Sequence, residues 1–199
     1  TIADFSTDIS PFIQSERGSK LESSLGYQLS YNDLNNFMFP TEGYLLKLSQ
    51  TIAGLGGDKT FVKSSLDYSF YRELWENTIA NFAFNQGYIH GLGDDISIVD
   101  RFFVGGSNLR GFKSAGIGPR DVITDDALGG NFYYTGTAQI KFPLGRDSQL
   151  PVKGLVFSQI GSLTMVDLNG NNLSDIGSTR ISIGIGTSWQ TPVGPLRID

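Results

Sequence analysis

One arginine stands between glycines near the middle of the chain, where its charge can be held at a defined point. The stretch Phe102–Phe112 reads Phe-Phe-Val-Gly-Gly-Ser-Asn-Leu-Arg-Gly-Phe and contains Gly105, Gly106, Arg110 and Gly111. Because glycine adopts positive φ at no steric cost, the backbone can fold back on itself here. A guanidinium held in this way binds carboxylates and other oxygen acceptors through several N–H donors. The sequence therefore predicts a shaped loop that presents Arg110 to a partner, although an arginine between glycines can also be a solvated loop residue.

The other residues that could do chemistry give weak signals. His90 is the only histidine, with Ser97 and Asp100 nearby, and no nucleophile-elbow sequence surrounds them. Cysteine is absent, which excludes thiol nucleophiles and thiolate metal sites. The acidic residues at 125–126 and the loop at 167–175 could suggest calcium, but the second lacks the acidic spacing and the terminal glutamate of an EF-hand loop. We therefore predict no enzyme, no metal site and no cofactor.

Charge and hydropathy narrow the class of protein further. The chain has 15 basic and 20 acidic residues, a net charge of -5, and no basic run, which argues against a nucleic-acid partner. No apolar stretch reaches the roughly 18 residues that a membrane-spanning helix needs. A transmembrane β-barrel remains compatible with this composition, because its apolar residues occupy alternate positions.

Most of the chain alternates apolar and polar residues with a period of two, which is the pattern of half-buried strands. Residues 1–20 lack this period and predict a loop with a short helical turn. A long loop over 90–128 carries Arg110, and a short turn is expected at 72–76. The sequence predicts seven full strands and one partial strand, near 22–33, 44–52, 63–70, 77–89, 132–142, 152–161, 181–189 and 196–199.

The two faces of these strands favour a membrane barrel over a soluble sandwich. The polar face is mostly Ser, Thr, Asn, Gln and Gly, as suits a barrel lumen, whereas a soluble sheet carries Lys and Glu outside. Aromatic residues lie near strand ends, where an aromatic girdle would form, at Tyr31, Tyr44, Phe132 and Phe142. Short turns alternate with longer loops, which places the Arg110 loop on the extracellular end. The fold class predicted is all-β, an antiparallel transmembrane β-barrel.

Several separate motifs carry a family resemblance. The Phe102–Phe112 stretch resembles the Arg-Gly-Phe loop of the BamA family of outer-membrane β-barrel assembly factors, in the bacterial surface antigen superfamily. Each further motif is weak alone, but their order and spacing over nearly the whole chain are specific. They are Tyr31–Gly43, Ile117–Arg120, Leu128–Asn131 and Trp189–Leu196.

The resemblance implies a function and a domain organisation. The family folds and inserts outer-membrane proteins without ATP, at a seam between the first and last strands of a barrel preceded by periplasmic POTRA domains. Residues 1–199 would be part of one outer-membrane β-barrel domain, the second half of a larger barrel in a Gram-negative bacterium. The POTRA domains, the first strands and the closing strand would lie outside this chain. Implied partners are outer-membrane lipids, unfolded outer-membrane protein clients and assembly-machinery lipoproteins.

The resemblance also implies where the arginine loop binds. In the family the loop dips into the lumen and its arginine pairs with acids on neighbouring strands, which would place Gly105, Gly106, Arg110, Gly111 and Phe112 there. The corresponding acid positions are Gln139 and Gln159, both on the lumen-facing side of their strands. We therefore expect Arg110 to use neutral acceptors or another carboxylate, Asp67 or Asp199.

Three alternatives stay open at this point. A two-partner secretion or autotransporter-assembly translocator of the same superfamily shares the Arg-Gly-Phe loop, and the number of periplasmic domains would distinguish it. A passive porin would show steady open channels. A soluble β-sandwich binding module would stay monomeric in water without detergent.

Overall fold

One antiparallel sheet of eight strands forms the body of the protein. The computed structural model describes residues 9–144, 152–168, 173–175, 177–191 and 194–198. The order across the sheet is β1-β2-β3-β4-β6-β7-β9-β10, and β5 and β8 form a separate pair. In chain order the elements are α1 (Pro11–Gln14), β1 (Ser24–Asn32), β2 (Gly43–Ala53), β3 (Phe61–Trp75), β4 (Thr78–Gly91), β5 (Arg120–Asp121), β6 (Phe132–Pro143), β7 (Val152–Thr164), β8 (Leu173–Ser174), β9 (Arg180–Thr191) and β10 (Gly194–Ile198).

The predicted all-β class and the seven full strands with one partial strand are confirmed. The predicted turn at 72–76 is wrong, because β3 continues to Trp75 and pairs Arg72 with Ala80 of β4. The chain turns instead at Asn77, whose φ is 58° and whose N–H donates to Glu73 Oε1 at 2.9 Å. The β5–β8 pair inside two loops has no counterpart in the sequence prediction.

The sheet exposes its apolar face and covers its polar one. Ile183 is 80% exposed, and Leu25 and Leu29 on the outward side of β1 are 69% and 61% exposed. On the opposite face, Thr135, Gln139 and Gln159 are each at most 6% exposed. A soluble sheet has the reverse arrangement, so the outward face is suited to lipid. None of the helices in the described part of the chain has the length and hydropathy of a membrane span.

Two apolar clusters hold the long β4–β6 connection against the inner face. One contains Ala53, Phe61, Ile89 and Ile96, and the other contains Val104, Leu109, Ile117 and Leu163. Phe102 packs against both clusters, and its backbone exchanges two hydrogen bonds with Gly130 at 2.9 and 3.0 Å. These contacts fix the connection on the inner face and so position the loop residues that lie along it.

Candidate functional site

The arginine loop turns on glycines that no other residue could replace without strain. Gly105 and Gly106 have φ of 130° and 65°, and a Cβ on Gly105 would clash with the carbonyl oxygen of Lys113. The N–H of Gly106 donates to Phe112 O at 2.9 Å, which closes the loop on itself. The sequence prediction of positive φ at these glycines is confirmed, and it leaves the arginine at the tip of a fixed turn.

Asn108 braces the same turn and was not predicted from the sequence. Its Oδ1 accepts from the N–H of Gly105 at 2.7 Å, and its Nδ2 donates to Phe103 O at 3.2 Å. Asparagine between glycines commonly bonds nearby backbone in this way, which is the signal that could have identified it.

Arg110 lies against both glutamines that the sequence placed on the inner face. Its backbone N–H and its Nε donate to Gln159 Oε1 at 2.8 and 3.0 Å, and Nη1 reaches Gln139 Oε1 at 3.3 Å. Gln159 Nε2 donates in turn to Thr137 Oγ1 at 2.7 Å, which fixes the orientation of the amide. The arginine thus connects the loop to β6 and β7 together. A role for this contact in function stays a prediction.

An aromatic ring supports the guanidinium from below. The Cζ atom of Arg110 lies 3.5 Å from the centroid of the Phe157 ring on β7, a cation–π contact. Phe157 is directly opposite Gly184 of β9, where any Cβ would overlap the ring. Sequence reasoning missed Phe157, although an inward-facing phenylalanine on an otherwise polar face was a visible departure from the alternation. Gly184, a glycine inside a strand, was interpreted from the sequence as a close-packing position or a bend, and the contact with the ring agrees with close packing.

The other predicted site residues lie in different places. Gly111 has φ 84° and approaches β9, where its Cβ would come within 3.4 Å of Ser182 Cβ. Phe112 packs on the Val104 and Leu109 cluster. Asp67 lies on β3 opposite Lys47 of β2 and Asn85 of β4. The prediction of Asp199 as a partner concerns a residue outside the described part of the chain.

A polar cavity of about 460 Å³ opens beside the arginine on the inner face. Three basic side chains line it, Arg110, Lys141 and Arg197, together with neutral polar residues that include Asn81, Thr137 and both glutamines. No group of acidic or histidine residues with metal-binding geometry is present among the described residues. The arrangement can hold a loop by hydrogen bonds and can solvate ions or water.

The residues of the weak catalytic pattern have other partners. The Ser97 hydroxyl donates to Glu16 Oε2 at 2.8 Å, and the His90 ring stacks on Tyr88 with a centroid distance of 6.2 Å. The Asp100 carboxylate pairs with Lys59 at 2.7 Å. Burial of Glu16 opposes its ionisation, but hydrogen bonds with Lys20 and Ser97 outweigh it and lower its pKa.

A buried arginine and a buried aspartate fix the outer part of the loop. Arg101 is 5% exposed and donates from Nε and Nη2 to Ile96 O at 3.0 and 2.8 Å. The Ser10 hydroxyl donates to Asp121 Oδ2 at 2.6 Å, and the Ser10 N–H donates to Asp126 Oδ2 at 2.7 Å. The Ser10 hydrogen bond, with two backbone N–H donors, holds the pKa of Asp121 below its usual value. These contacts join the N-terminal segment to the loop and could not be read from the sequence.

Comparison with known proteins places these features in context. A model of the Omp85 superfamily domain matches residues 2–199. The outer membrane protein assembly factor BamA of Neorickettsia risticii (strain Illinois) is 36% identical over 200 residues, which is 100% of this chain and 27% of that protein. A SAM50-like protein of Schizosaccharomyces pombe is 30% identical over 201 residues, covering 96% of this chain and 42% of that protein.

A solved structure shows the same fold. The crystal structure of BamA from Haemophilus ducreyi lacking POTRA domains 1-3 superposes with a TM-score of 0.77 and 25% identity. The superposition covers 87% of this chain and 37% of that chain. The chain therefore spans less than half the length of each relative that it matches here.

Proposed function

This chain belongs to the Omp85 superfamily, and from that premise we propose that its protein folds β-barrel proteins and inserts them into the bacterial outer membrane. The observation that carries the proposal is the 36% identity, over the whole chain, with an outer membrane protein assembly factor. The protein itself is a β-barrel protein of the outer membrane of a Gram-negative bacterium.

The chain supplies the second half of a larger barrel. β1 has only β2 as a neighbour in the described sheet, and β10 has only β9, so each leaves a row of backbone groups without a strand partner there. Unpaired backbone groups are costly in lipid, where no water can replace the missing hydrogen bonds. Further strands of the same protein would pair these edges, and POTRA domains would precede them on the periplasmic side. The seam between first and last strands would lie outside this chain.

The arginine loop would set the shape of this half-barrel. Arg110 hydrogen-bonds β6 and β7 at once, and the loop approaches β9 at Gly111. A loop that is bonded to two neighbouring strands and lies close to a third restrains the curvature of the sheet on its inner face. The assembly reaction then needs no covalent step, because an imperfectly paired strand edge at the seam offers hydrogen bonds to an incoming strand.

The partners follow from this reaction. Unfolded outer-membrane β-barrel proteins would be the clients, outer-membrane lipids would contact the exposed apolar face, and lipoproteins of the assembly machinery would bind the periplasmic side.

Replacement of the full-length protein in its source cells by Arg110→Ala tests the proposal. We expect lower amounts of folded β-barrel proteins in the outer membrane, because the loop loses its contacts with β6 and β7. Lys113→Ala is the matched control, since Lys113 is an exposed cation of the same loop. Normal β-barrel protein levels with Arg110→Ala, at equal amounts of the variant, would overturn the role. Steady porin-like conductance of the purified protein would overturn the assembly function itself.

A further inference from the structure

The outward face of the sheet contains a groove where its side chains are small. Ala138 of β6 lies opposite Phe82 of β4 and Ser158 of β7, and Ala80 lies opposite Ile140. The groove has a volume of about 350 Å³, within the roughly 300–1,000 Å³ typical of ligand pockets. Its floor is formed by the small residues, and its walls are Phe70, Phe82, Ile140 and Val156. Large side chains surround it, so it is a defined depression rather than part of a smooth face.

A single cation lies beside one end of this groove. Arg72 of β3 is exposed and pairs directly with Ala80, which lines the groove. Side chains directly opposite on neighbouring strands have Cβ atoms about 4.5–5.5 Å apart, so the guanidinium can reach over the groove. Among the outward-facing positions that the structure describes in the large sheet, Arg72 is the only lysine or arginine. Its guanidinium has no hydrogen bond or ion pair with another described residue.

The position of Arg72 along its strand places it at the membrane surface. It lies shortly before the tight turn at Asn77, on the end of the sheet with the shorter connections, which is the periplasmic end. Leu74 and Trp75 follow it and are 44% and 65% exposed. Tryptophan is enriched where hydrocarbon meets lipid headgroups. Trp75 lies three residues closer to that end of the sheet, so Arg72 is just inside this boundary, and its long side chain can extend to the lipid phosphates. The groove extends from Arg72 towards the middle of the bilayer.

We propose that this surface binds one phospholipid of the periplasmic leaflet, with its phosphate on Arg72 and one acyl chain in the groove over Ala80 and Ala138. Arginine recognises phosphate through paired N–H donors, and the low polarity of the surroundings strengthens the contact. The small floor residues let an acyl chain approach the sheet closely, which adds dispersion contacts that a flat face does not give. Because the cation and the apolar groove are adjacent, the ligand must carry a phosphate next to an acyl chain, which is the chemistry of a phosphate-bearing diacyl lipid. The inference depends on the membrane location of the protein and not on its assembly activity.

Native mass spectrometry of the full-length protein, purified in mild detergent, tests this assignment. The probe is phosphatidylglycerol at increasing concentration, with diacylglycerol as the phosphate-free comparison. We expect one phosphatidylglycerol molecule to bind with clearly higher affinity than any further ones. Diacylglycerol should bind roughly tenfold more weakly, because it has no phosphate to accept hydrogen bonds from the guanidinium. Equal retention of both lipids would overturn the role of the phosphate.

Two variants separate the cation from the groove. Arg72→Gln removes the charge and should weaken phosphatidylglycerol binding by roughly tenfold. Ala138→Phe fills the groove and should abolish the tight binding event while the folded barrel keeps its heat-modifiable migration. The matched controls are Lys113→Gln, a cation outside the membrane, and Leu48→Phe, an enlargement elsewhere on the outward face. Wild-type binding in either test variant would overturn the proposed site, as would displacement of the lipid by inorganic phosphate alone.

Discussion

The guanidinium carbon of Arg110 lies 3.5 Å above the ring of Phe157, so a loop residue rests its charge on an aromatic side chain of β7. The ring is 6% exposed, and contacts of this kind contribute roughly 0.5–2 kcal/mol, with the larger values at desolvated sites. The contact adds to the hydrogen bonds that the guanidinium donates to Gln159 and Gln139. It depends on β9, because Gly184 leaves the space that the ring occupies.

Gly184→Ala is therefore expected to destabilise the arginine site, although it is a small change on a neighbouring strand. The new methyl group would overlap the Phe157 ring, and the ring would move away from the guanidinium. Overpacking of a filled site costs roughly 1–3 kcal/mol. The measurement is the temperature at which the folded full-length protein loses its heat-modifiable migration on a gel.

Gly136→Ala is the control for this change. Gly136 is a glycine of the same sheet. A Cβ added there would meet only the Ile160 side chain, on the outward face, at 3.1 Å. We expect a clearly smaller loss of stability for the control. Equal losses for the two variants would show that the space beside Phe157 is not important.

The strands were predictable because their signal is local. Side chains of a strand alternate between two faces, so the apolar residues of β9, Ile181, Ile183 and Ile185, indicate their own strand and its outward face. The end of β3 was not predictable, because the charged residue Arg72, at an outward position, interrupts the alternating series of apolar residues. Pairing with Ala80 of β4 continues the strand despite it.

The site was predictable only in part, because only some of its residues give a local signal in the sequence. The alternation placed Gln139 and Gln159 on the inner face, and the glycines indicated a turn at Arg110. The support from Phe157 and Gly184 depends on the register between β7 and β9, and the Ser10–Asp121 hydrogen bond joins residues 111 positions apart. Neither a register nor a contact of that range leaves a periodic pattern in the sequence.

Gln159→Glu should stabilise the folded protein. Both donors from Arg110 keep their acceptor, and each hydrogen bond becomes charge-assisted, while the Thr137 hydroxyl can turn to donate to the carboxylate. Hydrogen bonds to charged groups contribute roughly 1.5–3 kcal/mol against about 1 kcal/mol for neutral ones, so we expect a net gain of about 1 kcal/mol after the cost of burying the charge. Urea unfolding of the full-length protein in detergent micelles measures the change.

The control for the added charge is Gln28→Glu. Gln28 lies on the inner side of β1, in a different strand pair, and its Oε1 accepts from the Ser49 hydroxyl at 3.3 Å. It should leave the free energy of unfolding nearly unchanged. A loss of stability in Gln159→Glu would contradict the pairing of Arg110 with that position.

Leu109→Ala should release the loop from its apolar anchor. Leu109 is fully buried and packs with Val104, Ile117 and Leu163, one residue before the arginine. Truncation of a buried leucine costs roughly 2–5 kcal/mol when the cavity cannot collapse. We expect limited proteolysis to cut the 105–116 segment faster in this variant, whereas Leu92→Ala, at a residue that is 52% exposed, should be cut at the wild-type rate. Unchanged cutting of Leu109→Ala would mean that the arginine contacts alone hold the loop.

Acid should detach the N-terminal segment from the loop through Asp121. Asp121 is 2% exposed, and its carboxylate accepts from the Ser10 hydroxyl and from the N–H groups of Ile123 and Thr124; these hydrogen bonds lower its pKa. A carboxyl group whose pKa is lower in the folded state contributes stability above its unfolded value, and the contribution is lost as the pH falls through the folded value. Docking of residues 9–16 should therefore persist at neutral pH and weaken below about pH 3.9. Amide hydrogen exchange of this segment, corrected for the pH dependence of the chemical rate, measures the loss. Asp121→Asn should show raised exchange already at pH 7, and a pH-independent difference between the two proteins would refute the assignment to Asp121.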